Sequence, residues 1–488
     1  MEPAECPEGR CLVAGGATGR CRAGGTDGQR CTGAADCPGD SGFCEHLNSC
    51  WHQRGANILN NEIRNLPDAE FSVIRILGAT EGPAARTHDN RIVCPKDAEA
   101  AITGIRVSSG TTSDNTVREC AIGIDARPLN AATFVSRNTI VFSSRAAMDA
   151  IGITVIDVNT STSSVDDNFV RMSAQGGIGI RTGIAPVRGN TVLLGGNAGI
   201  GVVAAGLVTA NVIRPVTGTP PGSGTGIATI GRTGTISSNT IGGLEWGIVP
   251  RGGGADDATN AGPGSINKRV VGNELVSTHN GVVALTGWHV IGNTINWIPS
   301  PREADATDER LGAAIWIGDP RRTNFGNYAC TEHSLISSNN LHTDRDDVYL
   351  IAATPIGMRC KATNRPCRES DGGAAVCDGG EDDPCAPVRC EGINIVANEF
   401  IRRQAGPASV DLGRGSPRNP IYAGGETPLI GLVGITGNMS LTPGADAFVA
   451  FSDDESRYVL GPVDIANNTT TAPATLGFKP GDAAKPNR

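Results

Sequence analysis

An Asn-x-aliphatic phrase recurs along this chain, and a repeat of that regularity constrains the fold more than any other feature of the sequence. It reads Asn61-Glu62-Ile63, Asn90-Arg91-Ile92, Asn115-Thr116-Val117, Asn138-Thr139-Ile140, Asn168-Phe169-Val170, Asn190-Thr191-Val192, Asn211-Val212-Ile213, Asn239-Thr240-Ile241, Asn273-Glu274-Leu275 and Asn293-Thr294-Ile295, with looser copies at Asn339, Asn398, Asn438 and Asn468. Where the repeat is tightest the step is 20 to 25 residues, and longer steps keep the same ends with extra residues between them. Those extras read as loops. A second phrase alternates with the first, as Ile122-Gly123-Ile124, Gly152-Ile153-Thr154-Val155, Gly177-Ile178-Gly179-Ile180 and Gly199-Ile200-Gly201-Val202. Period-two alternation places one apolar set inward, and Gly and Asn tolerate the positive-φ corners where a chain turns. One such coil cannot bury its apolar face alone, so the copies must stack.

This is the pattern of an all-β, right-handed parallel β-helix. Over roughly residues 57–470 the chain resembles the pectate-lyase-like superfold, in particular the repeats of secreted bacterial proteins that bind or process carbohydrate. At about 4.8 Å per coil, fourteen coils predict a rod of about 65 Å, with the inward Asn residues in a hydrogen-bonded ladder at one corner. Composition agrees: Gly supplies 66 of 488 residues and aromatics only 4%, which suits a narrow coil filled with Ile, Val and Ala. No run of 18 apolar residues exists, so membrane insertion is not expected. A net charge of −9 and a pI near 5.4, without a basic stripe, argue against nucleic acid as a partner.

The 15 cysteines point to an oxidising compartment, hence an extracellular or cell-surface protein. Cys31, Cys37, Cys44 and Cys50, in a Gly- and Asp-rich setting, define a small disulfide module over 1–54, too small to fold without bridges. Zinc is the weaker reading, because no C-x2-C knuckle is present. Cys6 and Cys11 resemble the tail of an earlier module, and the expectation is that Met1 begins a piece of a longer protein. The solenoid occupies 55–470, followed by a polar tail, 471–488, expected to be poorly ordered. Cys94 and Cys120 follow Asn90 and Asn115 by four and five residues. Stacking therefore places them about 5 Å apart, within the span of a disulfide. Cys330, Cys360, Cys367, Cys377, Cys385 and Cys390 bracket a stapled insertion over 354–392. No metal site or cofactor is called for. Calcium at the acidic tip Glu381-Asp382-Asp383 is the alternative, although the oxygen spacing of a calcium loop is absent.

Function is expected where the repeat is least regular, residues 245–350, which hold Trp246, Trp288, Trp297 and Trp316 and also His279, His289, His333 and His342. Aligning the coils makes Ile315 and Ile317 inward and Trp316 outward, and makes Val348 inward and Tyr349 outward. Trp316 and Tyr349 then share one outward column that carries Gly179, Gly201, Ala228, Val249 and Val283 on earlier coils. Exposed rings on a rigid sheet stack on sugars, and Asp344, Arg345 and Asp346 beside them offer hydrogen bonds to hydroxyls. The competing reading packs the rings beneath the 354–392 insertion. For catalysis a glycosidase needs two carboxylates about 5–9.5 Å apart, and Asp319 with Asp347 are the candidates. The compact signatures of polygalacturonases and alginate epimerases are absent. Three functions remain open: a rod that binds polysaccharide on an outer sheet face, a polysaccharide lyase or glycoside hydrolase, and a structural spacer or protein-binding scaffold.

Overall fold

The computed structural model describes the strands and tight corners between residues 57 and 471, with short strands at Gly19–Arg22, Arg30–Cys31, Phe43–His46 and Leu476–Gly477. Most long connections lie outside the described residues, among them 252–266, 297–311, 319–332, 345–348, 361–367, 377–384 and 413–428. The chain divides into two compact units, 1–202 and 203–488.

Both units follow one plan, a right-handed parallel β-helix. Each coil gives one short strand to each of three parallel sheets, with the hand that connections between parallel strands take. In the unit 1–202 a representative coil runs Thr133–Ser136 in the first sheet, Thr139–Val141 in the second and Ile151–Val155 in the third. Its inward residues Val135, Ile140, Ile153 and Val155 are all buried, and they pair in register with Val165, Val170, Ile180 and Thr182 of the next coil. In the unit 203–488 the coil of Lys268–Val271, Glu274–Val276 and Asn280–Ala284 repeats the plan around Val270, Leu275 and Val282. Narrow coils of aliphatic residues explain how a chain so poor in rings fills its interior.

The corner between the first and second sheets is two residues long in every coil. The first of the two is left-handed, with φ between 53° and 57° at Asn60, Asp89, Asp114, Arg137, Asp167, Ala210, Ser238, Ser338, Ala397 and Asn467, and glycine at the remaining four. The second is the repeated Asn. Asn138 Nδ2 shares its hydrogens among Asn168 Oδ1 at 2.9 Å, Thr112 O at 2.9 Å and Ser136 O at 3.0 Å, while Asn168 Oδ1 also accepts the Asn138 backbone N–H at 2.9 Å. Asn273 and Asn293 repeat the arrangement in the unit 203–488. A buried amide is thereby satisfied on both ends, and its own carbonyl contacts fix the turn.

The glycines of the second phrase serve a different purpose from the corners expected of them. Gly152 lies within a strand and without positive φ, and a Cβ there would stand 2.4 Å from Gly179 O and 2.5 Å from Val170 Cγ1. Glycine is required because the next coil's backbone passes too close for any side chain.

Cys94 and Cys120 are joined in a disulfide with Cα atoms 5.0 Å apart. In the N-terminal region Gly19–Arg22 pairs antiparallel with Arg30–Cys31 and Phe43–His46, setting Cys21 opposite Cys44. Within 354–392, Met358–Cys360 pairs with Cys385–Pro387 and Arg368–Glu369 with Ala375–Val376. Its last strand, Arg389–Glu391, instead pairs in parallel with Leu429–Gly431, which pairs in turn with Val459–Leu460. Most of the module 1–54 and of the tail 471–488 falls outside the described residues. Among those residues, no helix is long and apolar enough to cross a membrane.

Candidate functional site on the unit 203–488

The third sheet of this unit runs through Trp246–Pro250, Asn280–Ala284, Ala313–Ile317 and Tyr349–Ala353. Ile315 and Ile317 are wholly buried, and Trp316 alternates with them on the other side of the strand. That side is covered. Trp316 is only 5% exposed, and its column neighbours Val249, Val283 and Ala352 are buried with it. The indole Nε1 donates to Asn280 Oδ1 at 2.8 Å. A flat sugar platform needs a bare ring, whereas a ring with its N–H consumed and its faces enclosed is packed. The run of small residues along the column marks a face that is filled over.

The register also separates the two positions. Tyr349 pairs with Ala313, three positions before Trp316, and it is Ala352 that lies beside the indole. The inward residue of this strand is Ile351, opposite Ile315. Gly179 belongs to another column as well, because it precedes the inward Ile180, whereas Ala228 follows the inward Ile227. Trp316 and Tyr349 therefore do not share the column that the sequence alignment implied. Asp319, Arg345, Asp346 and Asp347 lie outside the described residues, as does the acidic tip at 381–383.

Of the polar candidates Asp344 is described. It follows the second-sheet strand Asn340–Thr343, at the corner that leads into the third sheet. Its Oδ1 stands 3.3 Å from His342 Nε2 and 3.6 Å from Arg403 Nε. Both distances exceed those of good hydrogen bonds, and Asp344 Oδ1 receives no hydrogen bond among the described residues. The His342, Asp344 and Arg403 side chains are 15%, 25% and 64% exposed. One carboxylate, one imidazole and one guanidinium thus meet at a partly open rim.

The neighbouring outer positions extend the polar strip. Asn340 pairs with Glu399 in register, and Asn340 Nδ2 donates to Glu399 Oε2 at 3.2 Å. Thr294 precedes Asn340 in the same column. His342 was visible in the sequence only as one of several histidines, and Arg403 not at all. Glu399 had a usable signal, since it follows Asn398 as Asn340 follows Asn339. Among the described residues no group of three or more His, Cys, Asp or Glu is placed to hold a metal ion.

No family model matches the chain, and no curated protein does. Solved structures of similar backbone include a tailspike protein of E. coli bacteriophage HK620 in complex with a pentasaccharide, 12% identical, covering 86% of this chain and 71% of that one at a TM-score of 0.46. A periplasmic alginate epimerase is 10% identical over 86% and 85% of the two chains, with a TM-score of 0.41. An alginate lyase in complex with a trisaccharide is 9% identical over 88% and 80%, with a TM-score of 0.40. At such identities no residue role passes from one chain to another.

Proposed function

We propose that this chain is a secreted or cell-surface protein that binds polysaccharide along the outer side of the unit 203–488, where the second sheet turns into the third. The observation that carries the reading is the loosely held carboxylate of Asp344 between His342 and Arg403 at a partly exposed rim. Asp344 Oδ1 accepts no hydrogen bond among the described residues, so it can accept one from a ligand. A sugar hydroxyl can donate to that carboxylate, with the His342 and Arg403 side chains beside it. The flat sheet adds Asn340 and Glu399 on strands about 4.8 Å apart, a spacing that suits a linear ligand crossing successive coils. Cleavage of the bound chain is the alternative, and it would draw on Asp319 and Asp347. A spacer or protein scaffold is the third reading.

A glycan array run beside reducing-sugar and unsaturated-uronate assays separates binding, cleavage and neither. Asp344→Asn is expected to weaken the best array ligand at least tenfold, with the melting temperature unchanged. Failure to bind any glycan, or equal binding by wild type and Asp344→Asn, would overturn the assignment.

A further inference from the structure

On the outer side of the second sheet in the unit 1–202, Arg64, Val93, Arg118, Val141, Arg171 and Leu193 form one column in the register of the paired strands. Guanidiniums alternate in it with half-buried aliphatic side chains, one arginine to every two coils. Arg64 is engaged by Glu62, two residues before it on the same strand. Arg118 and Arg171 are exposed, and among the described residues neither guanidinium is committed to a partner. Phe169 stands beside Arg171 on the same side of its strand and is half-buried. Two free cations, an aliphatic side chain between them and one ring thus share a rigid face.

Two coil steps separate Arg118 from Arg171, about 9.6 Å at the coil spacing. A β-strand laid along the column does not match that distance, because its same-side residues repeat about every 6.6 Å. A polyproline II segment does, since three residues per turn put every third side chain on one edge, about 9.3 Å apart. The sequence holds such a segment. Glu2-Pro3-Ala4-Glu5-Cys6-Pro7-Glu8 sets a carboxylate at every third position, and its two prolines fix φ and bias the residues before them toward extended backbone. With that period Cys6 falls on a different edge from the glutamates. Residues 1–18 lie outside the described residues. Residues 9–56 separate Glu8 from the first solenoid strand, Asn57–Leu59, a chain far longer than the distance of about 19 Å from that coil to the coil of Arg171.

We propose that the column of Arg118 and Arg171 is a docking surface for the chain's own residues 2–8, held in polyproline II form with two successive glutamates on the two uncommitted guanidiniums. Guanidinium presents a planar fork that matches a carboxylate. Exposed ion pairs are individually weak, so a single pair would not hold the segment. Once the first pair forms, the second closes at the high effective concentration of a tethered group, and Phe169 offers the prolines the kind of ring on which polyproline II segments pack. Docking is therefore reversible and salt-sensitive. It does not depend on the polysaccharide reading, which uses the other unit.

The test is zero-length carbodiimide cross-linking of the full chain carrying Arg118→Lys and Arg171→Lys, which keeps both charges and supplies amines that condense with a carboxylate held against them. Mass spectrometry should find residues 1–10 joined to position 118 or 171, with a yield that tenfold dilution leaves unchanged and that about 0.5 M salt lowers at least threefold. Glu5 belongs to either pair of successive glutamates, so Glu5→Gln should lower the yield more than Glu2→Gln or Glu8→Gln. No cross-link at either position, an equal yield from Arg188→Lys on the first sheet, or a yield that falls on dilution, which would mean a second copy as the occupant, would overturn the proposal. A second measurement needs no lysine variant. Cleavage after Glu8 by a glutamate-specific protease should run at least threefold slower in the unaltered chain than in a free peptide of residues 1–10, and Arg118→Gln with Arg171→Gln should restore the rate. Equal rates in the unaltered chain and the peptide would sink the docking.

Discussion

Lys268 opens a first-sheet strand and is 1% exposed, with Nζ donating to Ala205 O at 2.9 Å and Ile230 O at 2.8 Å. Desolvation lowers its pKa from 10.5 to about 8. Below about pH 8 the amine is charged in both the folded and the unfolded chain, and the folded state bears the whole cost of burying the charge. Between about pH 8 and 10.5 the unfolded chain still holds the proton that the folded chain has released, so the stability of the unit rises with pH. The stability of wild type relative to Lys268→Met should therefore climb across that window, at no more than about 1.4 kcal/mol per pH unit. Urea titrations at pH 7.5, 9 and 10.5 would read it, and a flat difference would show that the carbonyl contacts hold the charge. The left-handed corner residue tells a related story about legibility. Asn60, Asp89 and Asp167 are types that tolerate positive φ, but Arg137, Ala210 and Ala397 are not. The repeated Asn imposes the conformation on whatever precedes it, so the signal for those positions lies in the Asn that follows and not in their own residue type.

At the scale of the strand, the glycine column is a clearance. Gly152→Ala would place Cβ 2.4 Å from the backbone oxygen of Gly179, and a carbonyl within a parallel ladder cannot swing aside as a flexible side chain can. The expected cost is about 1–3 kcal/mol, typical of overpacking a tight interior, read as a lower denaturation midpoint. Destabilisation below about 0.5 kcal/mol would mean that neighbouring coils separate readily. Apolar alternation and the Asn phrase made strand existence and inward faces readable, down to Ile315 and Ile317. Columns across coils were less readable, because one residue's error in where a strand begins changes its partners. Tyr349 was assigned beside Trp316 for that reason, when the strand starts at Tyr349 and brings Ala352 there. The column of Arg118 and Arg171 was missed by the same route. In sequence these are scattered single charges, and only the stacking gathers them.

Taken as a whole, the molecule shows why a solenoid's fold is legible and its sites are not. Each coil repeats the same burial problem, so Asn138 and Asn273 announce the same corner far apart in the chain. A site is written once. Asp344 draws on His342 from its own coil and on Arg403 from another, and nothing local to any of the three marks the meeting. Connection lengths follow the same division. The corner carrying the Asn ladder never varies, whereas second-sheet and third-sheet strands are separated by Gly243 to Glu245 in one coil and by residues 297–312 in another. A four-residue Gly-Ser insertion between Gly183 and Ile184, in an exposed turn from the third sheet back to the first, should cost less than about 1 kcal/mol, since loop-closure entropy grows slowly. One residue inserted between Arg137 and Asn138 should instead cost about 2–5 kcal/mol, because either the Asn138 ladder contacts or the buried place of Ile140 is lost before the longer connection after Val141 can absorb it. Circular dichroism and thermal melts of the two variants would distinguish them, and equal tolerance would refute the contrast.

The invariant corner has a practical corollary. Since one edge of each coil keeps a fixed length while the other two accept chain of any length, the coils behave as numbered shelves. Peptides grafted at the 183–184 turn and at its counterparts on other coils of the same unit would stand along one side at heights set by the coil spacing of about 4.8 Å. That regularity makes each unit a ruler for presenting two ligands at a chosen separation.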